Sequence, residues 1–141
     1  MKKILLIIFI AITSNSYCSD WIFLAFYKDY TIWYKTPAIT FTTGAKKVWV
    51  KQTYTDEAVK TERKNLIYKD KDKPNYSYQK YSYSLFLYEF DCDNSTNRYL
   101  ERIDYTEDGT SLNHKVFEYA STDNIVPNTA MENIFNEVCG N

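Results

Sequence analysis

Two apolar patterns of different period run through this chain, and each ends on a cysteine. Tyr78 to Cys92 reads YQKYSYSLFLYEFDC, and the two-residue period of a strand sets Phe86, Tyr88, Phe90 and Cys92 on one face. Met131, Ile134, Phe135, Val138 and Cys139 instead follow the i, i+3, i+4, i+7, i+8 spacing of a helical face. Thr129 and Glu132 form a T-x-x-E capping box for that helix, and Pro127 stands just before its start. A helix laid across a sheet and locked at its end by a Cys92–Cys139 bridge satisfies both patterns.

The pairing follows from compartment. Lys2 and Lys3 precede an apolar run from Ile4 to Ile12, the pattern of a secretory leader. That run is far shorter than the roughly 20 residues of a membrane-spanning helix, so no anchor of that kind is expected. Cleavage is expected after Ser16, Cys18 or Ser19, with a mature start near Ser19 or Asp20; the division is a signal peptide over 1–19 and one domain over 20–141. Tyr17 occupies the place where a lipid-attachment box takes a small residue, so Cys18 is not expected to carry a lipid. Losing Cys18 leaves two thiols in an oxidising compartment, where pairing is the default. A bridge across 47 positions stabilises by roughly 4 kcal/mol in the chain-entropy account.

Charge narrows the partners. Removing Lys2 and Lys3 from 17 basic residues leaves 15 against 18 acidic, a formal charge of −3, which disfavours nucleic acid. Three glycines and three prolines in 141 residues argue against a disordered chain. The remaining length suits one domain.

Along that domain, Trp21 to Tyr27 and Tyr30 to Tyr34 predict two paired strands. Pro37 follows where a missing donor costs little, then a short extended piece from Ile39 to Phe41, Gly44, and a third strand from Lys47 to Tyr54. A weakly amphipathic helix is predicted over Asp56 to Tyr68, then a solvated loop through the alternating Lys69 to Lys73 and a break at Pro74. After the strand of Tyr78 to Cys92, Tyr99 to Thr106 and Thr110 to Tyr119 form a hairpin about Asp108-Gly109, making this part a meander.

These residues resemble the surface-adhesin protein E family of small bacterial envelope proteins over roughly Trp21 to Cys139. The resemblance is carried by Trp21 opening the domain, Val48-Trp49-Val50 in the third strand, Ser84 through Cys92, Ile125-Val126-Pro127, Glu132, and Val138-Cys139. It implies an α+β fold, a twisted antiparallel sheet of about six strands with the C-terminal helix packed on its concave face and tethered by the disulfide. It also implies attachment to an extracellular protein, a host matrix or serum protein, and members of the family can form homodimers. No host-contact residue carries over by motif. The alternative is a periplasmic envelope protein of the same fold, structural or inhibitor-like, with no host contact.

Catalysis has little to work with, and no enzyme, cofactor or metal is expected. The one histidine, His114, sits in a predicted strand without a triad or metal partner in its sequence neighbourhood. Asp91, Asp93 and Asn94 hint at a calcium loop, but its sixth and twelfth positions are Thr96 and Arg102 rather than glycine and an acid, which leaves a polar turn. Glu101 with Asp104 and Glu107 with Asp108 would have to face each other across a cleft to act as acid and base. Cys92 and Cys139 lack the C-x-x-C spacing of a redox pair. Sequons at Asn75 and Asn94 matter only in a eukaryotic source. For binding, the candidates are Tyr76, Tyr78, Tyr81 and Tyr83, whose alternation in a strand would offer rings and hydroxyls to a protein partner.

Overall fold

The computed structural model describes residues 21–35, 38–41 and 43–140; the expected leader, its cleavage points, Cys18 and Pro37 lie outside them. In chain order the elements are β1 (Trp21–Phe26), β2 (Tyr30–Lys35), β3 (Ile39–Thr40), β4 (Lys46–Tyr54), α1 (Asp56–Ile67), a 3₁₀ helix (Tyr76–Lys80), β5 (Tyr81–Asp91), β6 (Thr96–Thr106), β7 (Ser111–Val116), β8 (Thr122–Asn124) and α2 (Ala130–Cys139). The strands form one open antiparallel sheet, ordered β1-β2-β4-β5-β6-β7, with β3 beside β4 and β8 beside β6. This is the expected α+β meander with its six principal strands, and the short β8 is an addition to it. β6 begins at Thr96, earlier than its apolar run suggests, because Asn97 and Thr96 pair with Phe90 and Asp91 and carry the hairpin to its tip.

Alternation along the strands sorts the core. Ile32 and Tyr34 of β2, Val48 and Val50 of β4 and Phe90 of β5 are buried together with Ile134 and Val138 of α2. Three further ties hold the helix there: Lys46 Nζ donates to the carbonyl of Val138 at 2.7 Å, Tyr34 donates to Glu137 at 3.2 Å, and Phe90 meets Phe135 at 6.1 Å between ring centroids. The lysine both satisfies a last-turn carbonyl and sets positive charge at the negative end of the helix. Thr129 caps the start, accepting from Glu132 N at 3.3 Å, while the Glu132 carboxylate accepts from Asn128 N at 2.7 Å. Cys92, one residue past β5, is bonded to Cys139 with 5.5 Å between Cα atoms.

Helix α1 lies over the other end of the same face. Thr55 caps it through Ala58 N, and Ile67, Val59 and Leu66 pack on Tyr54, Tyr78 and Tyr81. Here the expected strand from Tyr78 is corrected: Tyr76–Lys80 turns as a 3₁₀ helix that tucks Tyr78 beneath α1, and β5 starts only at Tyr81. A bulge at Ser82 then changes the alternation, so that Tyr81 points to the side of Ser84 rather than that of Tyr83.

Beneath α1 the sheet buries a polar network. Asp104, 1% exposed, accepts from Tyr78 at 2.9 Å, Ser84 at 2.6 Å and Arg102 Nε at 2.7 Å, and Ser84 is shared with the Tyr81 hydroxyl at 2.8 Å. Arg102 in turn lies over the Phe86 ring at 5.6 Å, so its remaining charge faces aromatic density rather than a second acid.

Three outcomes follow from this packing. Replacing both bridge cysteines by serine lowers unfolding stability by up to about 4 kcal/mol, read by urea denaturation of the oxidised and variant proteins. Asp104→Ala leaves the Arg102 charge buried without its acid and costs about 3 kcal/mol or more in the same assay, with Asp104→Asn milder. Burial pushes the phenols of Tyr78 and Tyr88 up to about 12, helped for Tyr78 by its bond to Asp104. An unfolded tyrosine ionises near 10, so stability is intact below about pH 10 and declines as the pH rises from there toward about 12, measured as the thermal midpoint across that range.

Candidate binding surface

Both helices cover one face, so the inward alternation dictates what the other face presents. On β4 the residues between Val48 and Val50 and on either side of them are Lys47, Trp49 and Lys51; on β2 they are Trp33 and Lys35. Trp33 stands opposite Lys51, and Trp49 opposite Leu87. Phe23 meets Trp33 edge to face at 5.5 Å, and Lys35 lies over the Trp21 ring at 5.9 Å. Toward β5 and β6, Tyr83 stacks on Tyr105 at 5.0 Å with Lys51 above it at 4.5 Å. Farther along, Glu89 takes Lys47 at 3.7 Å and also Arg98, and Glu101 meets His114 at 2.9 Å. Lysines and indoles therefore gather over β2 and β4, while the acids Glu89 and Glu101 lie over β5 and β6 together with Arg98 and the Tyr83–Tyr105 stack.

The two edges differ. β7 and β8 offer a short, interrupted edge carrying His114 and Lys115, which discourages further pairing. β1 is WIFLAF, uncharged along its length, with Ile22, Phe23 and Phe26 exposed by 40%, 53% and 65%. Its outer side has no strand partner among the described residues, and its one irregularity is a bulge at Leu24, which turns that side chain into the core.

The four tyrosines singled out by alternation do not form one platform. Tyr78 and Tyr81 are buried in the network under α1, Tyr76 is exposed at the start of the 3₁₀ helix, and Tyr83 belongs to the helix-free face. His114 sits half exposed on the β7 edge, paired with Glu101. Asp91 caps a turn, accepting from the backbone amides of Asp93 and Asn94 at 3.1 Å and from the Asn94 side chain at 2.7 Å; these bonds hold its carboxyl below the usual range. Glu101 and Asp104 stand on opposite faces of the sheet, one paired with His114 and the other in the buried network. Among the described residues no helix is long and apolar enough to cross a membrane, and no group of three or more His, Cys, Asp or Glu side chains is placed to hold a metal ion.

Sequence reasoning passed over the two features that dominate this surface, the Lys-Trp pattern and the bare β1 edge. The first was available in Lys47-Val48-Trp49-Val50-Lys51, whose buried valines imply an outward Trp between two lysines. The second needed the strand order, which no local pattern supplies.

No curated protein and no solved structure matches the chain. The family model for surface-adhesin protein E matches residues 21–140, spanning every element from β1 to α2. The chain belongs to the surface-adhesin protein E family.

Proposed function

We propose that this protein is an exported bacterial envelope protein that binds, without catalysis, an extracellular protein partner of the host matrix or serum. Membership of the family supports a surface adhesin-like role. The observation that carries the finer reading is β1: six uncharged, largely apolar residues at a sheet edge, with Phe26 and Phe23 more than half exposed. A bare apolar edge gains free energy when an extended segment adds to it, backbone amides supplying the bonds and the outward rings supplying contact area. The opposite edge, bearing charge, is unsuited to the same use. Two copies of β1 pairing antiparallel would satisfy the edge equally, which makes a homodimer the competing occupant.

Location tests the attachment first. Protease or antibody added to intact cells reaches the protein if it works as an adhesin; a protein found solely inside the outer boundary belongs to the periplasmic reading instead. The edge is tested with Phe26→Lys, which sets a charge on an exposed ring position and leaves the core untouched. Capture on immobilised matrix and serum proteins is expected to weaken by about ten-fold or more, as for loss of an aromatic anchor, with an unchanged melting temperature. Sedimentation at the capture concentration separates loss of a dimer from loss of a partner.

A further inference from the structure

We propose that the helix-free face over β2 and β4 binds a sulfated linear polysaccharide, its anions on Lys35, Lys47 and Lys51 and its sugar rings on Trp33 and Trp49. This site lies on the flat of the sheet rather than along its edge, and it takes a different ligand class from the edge-binding reading.

Three observations carry it. The first is unspent charge. Among the described residues Lys35 and Lys51 have no carboxylate within ion-pair distance, and they lie instead over Trp21 and Tyr83. Lys47 reaches Glu89, but that carboxylate is shared with Arg98. A patch of positive charge therefore persists in a chain whose formal charge is −1. The second is the alternation of groups. Trp33 faces Lys51 across the β2–β4 pair, and the Tyr34–Val50 pairing beside it brings Lys35 alongside Trp49, so cations and indoles occupy opposite corners of a square. The third is spacing: Lys47 and Lys51 are four residues apart on one strand, about 13 Å at the rise of a strand, which suits repeated anions along a polymer better than a single bound ion.

The indoles decide between polyanions. An acidic peptide would use the lysines but brings no repeated flat apolar face to the two half-buried indoles of this sheet surface. A pyranose ring presents a flat apolar face of C–H groups that stacks on an indole, while sulfates at its rim reach ammonium groups on either side. Lysine suits such contacts because its ammonium is a point charge on a flexible stem and adapts to sulfates at several positions.

The test uses the disulfide-closed protein and a heparin dodecasaccharide, with neutral dextran of equal length and poly-glutamate as comparison probes. All three tryptophans of the chain lie in β1, β2 and β4, so intrinsic fluorescence reports binding alongside calorimetry. Heparin is expected to bind and shift the emission, with affinity falling as salt rises, and dextran is expected not to bind. Lys35→Gln/Lys51→Gln, which removes the two charges and keeps polar side chains at both positions, should weaken heparin by on the order of ten-fold. Trp49→Leu, checked for an unchanged circular dichroism spectrum, should weaken heparin and spare poly-glutamate. Phe26→Ser, which removes the exposed edge ring without adding charge to this face, should leave heparin binding intact, which separates failure of this site from failure of the edge. Absence of heparin binding, indifference to the double lysine variant, or poly-glutamate binding as tightly as heparin would each overturn the proposal; the last would assign the patch to an acidic protein segment.

Discussion

The fold depends on an asymmetry between the two faces of one sheet. Both helices are recruited to the same side: α2 over Ile32, Val48, Val50 and Phe90, and α1 over Tyr54, Tyr78 and Tyr81. A sheet buried on one face must alternate inward apolar with outward residues along each strand, and β4 does so with Val48 and Val50 inward and Lys47, Trp49 and Lys51 outward. The bond between Cys92 and Cys139 keeps α2 from leaving that side, because the helix is short and its buried stripe rests chiefly on Ile134 and Val138. Everything available to a partner is what this one-sided burial leaves outside.

Much of the architecture was legible in the sequence because local signals and tertiary demands coincide. The C-terminal helix, its cap and its cysteine follow from a single period, and the Asp108-Gly109 hairpin forms with Gly109 at φ 84°, a conformation glycine adopts without strain. The failure at Tyr76 to Tyr81 has an equally physical origin. Aromatic alternation there imitates a strand, but Tyr78 gains more by reaching under α1 to Asp104 than by joining a ladder, and the bulge at Ser82 absorbs the resulting change of side. Asp104 itself carried no sequence signal as a buried acid. Its environment is built by residues from β5, the 3₁₀ helix and β6, and a linear reading cannot assemble those.

The binding surface divides along the same line. The outward tryptophan flanked by lysines can be read from β4 alone once its valines are known to be buried, whereas the lack of an outer strand partner for β1 among the described residues depends on its being first in the spatial order of strands. Tyrosine abundance, the most visible compositional feature, turned out to serve mainly the interior: stacked or tilted pairs such as Tyr88 with Tyr99 at 5.3 Å and Tyr54 with Tyr81 at 6.0 Å fill the helix-bearing face. Phenols suit that role because each contributes a large apolar ring together with a hydroxyl that can reach a partner.

The position of the covalent ring also orders events during biogenesis. Cys92 and Cys139 enclose β6, β7, β8 and α2, and lie 47 positions apart. During synthesis the strands β1 through β5 emerge with Cys92 still single, and no correct partner exists until the final helix has been made. Oxidation thus records completion. A chain interrupted before α2 would leave the Cys92 thiol without its partner beside an uncovered apolar sheet, two marks that set it apart from a finished molecule.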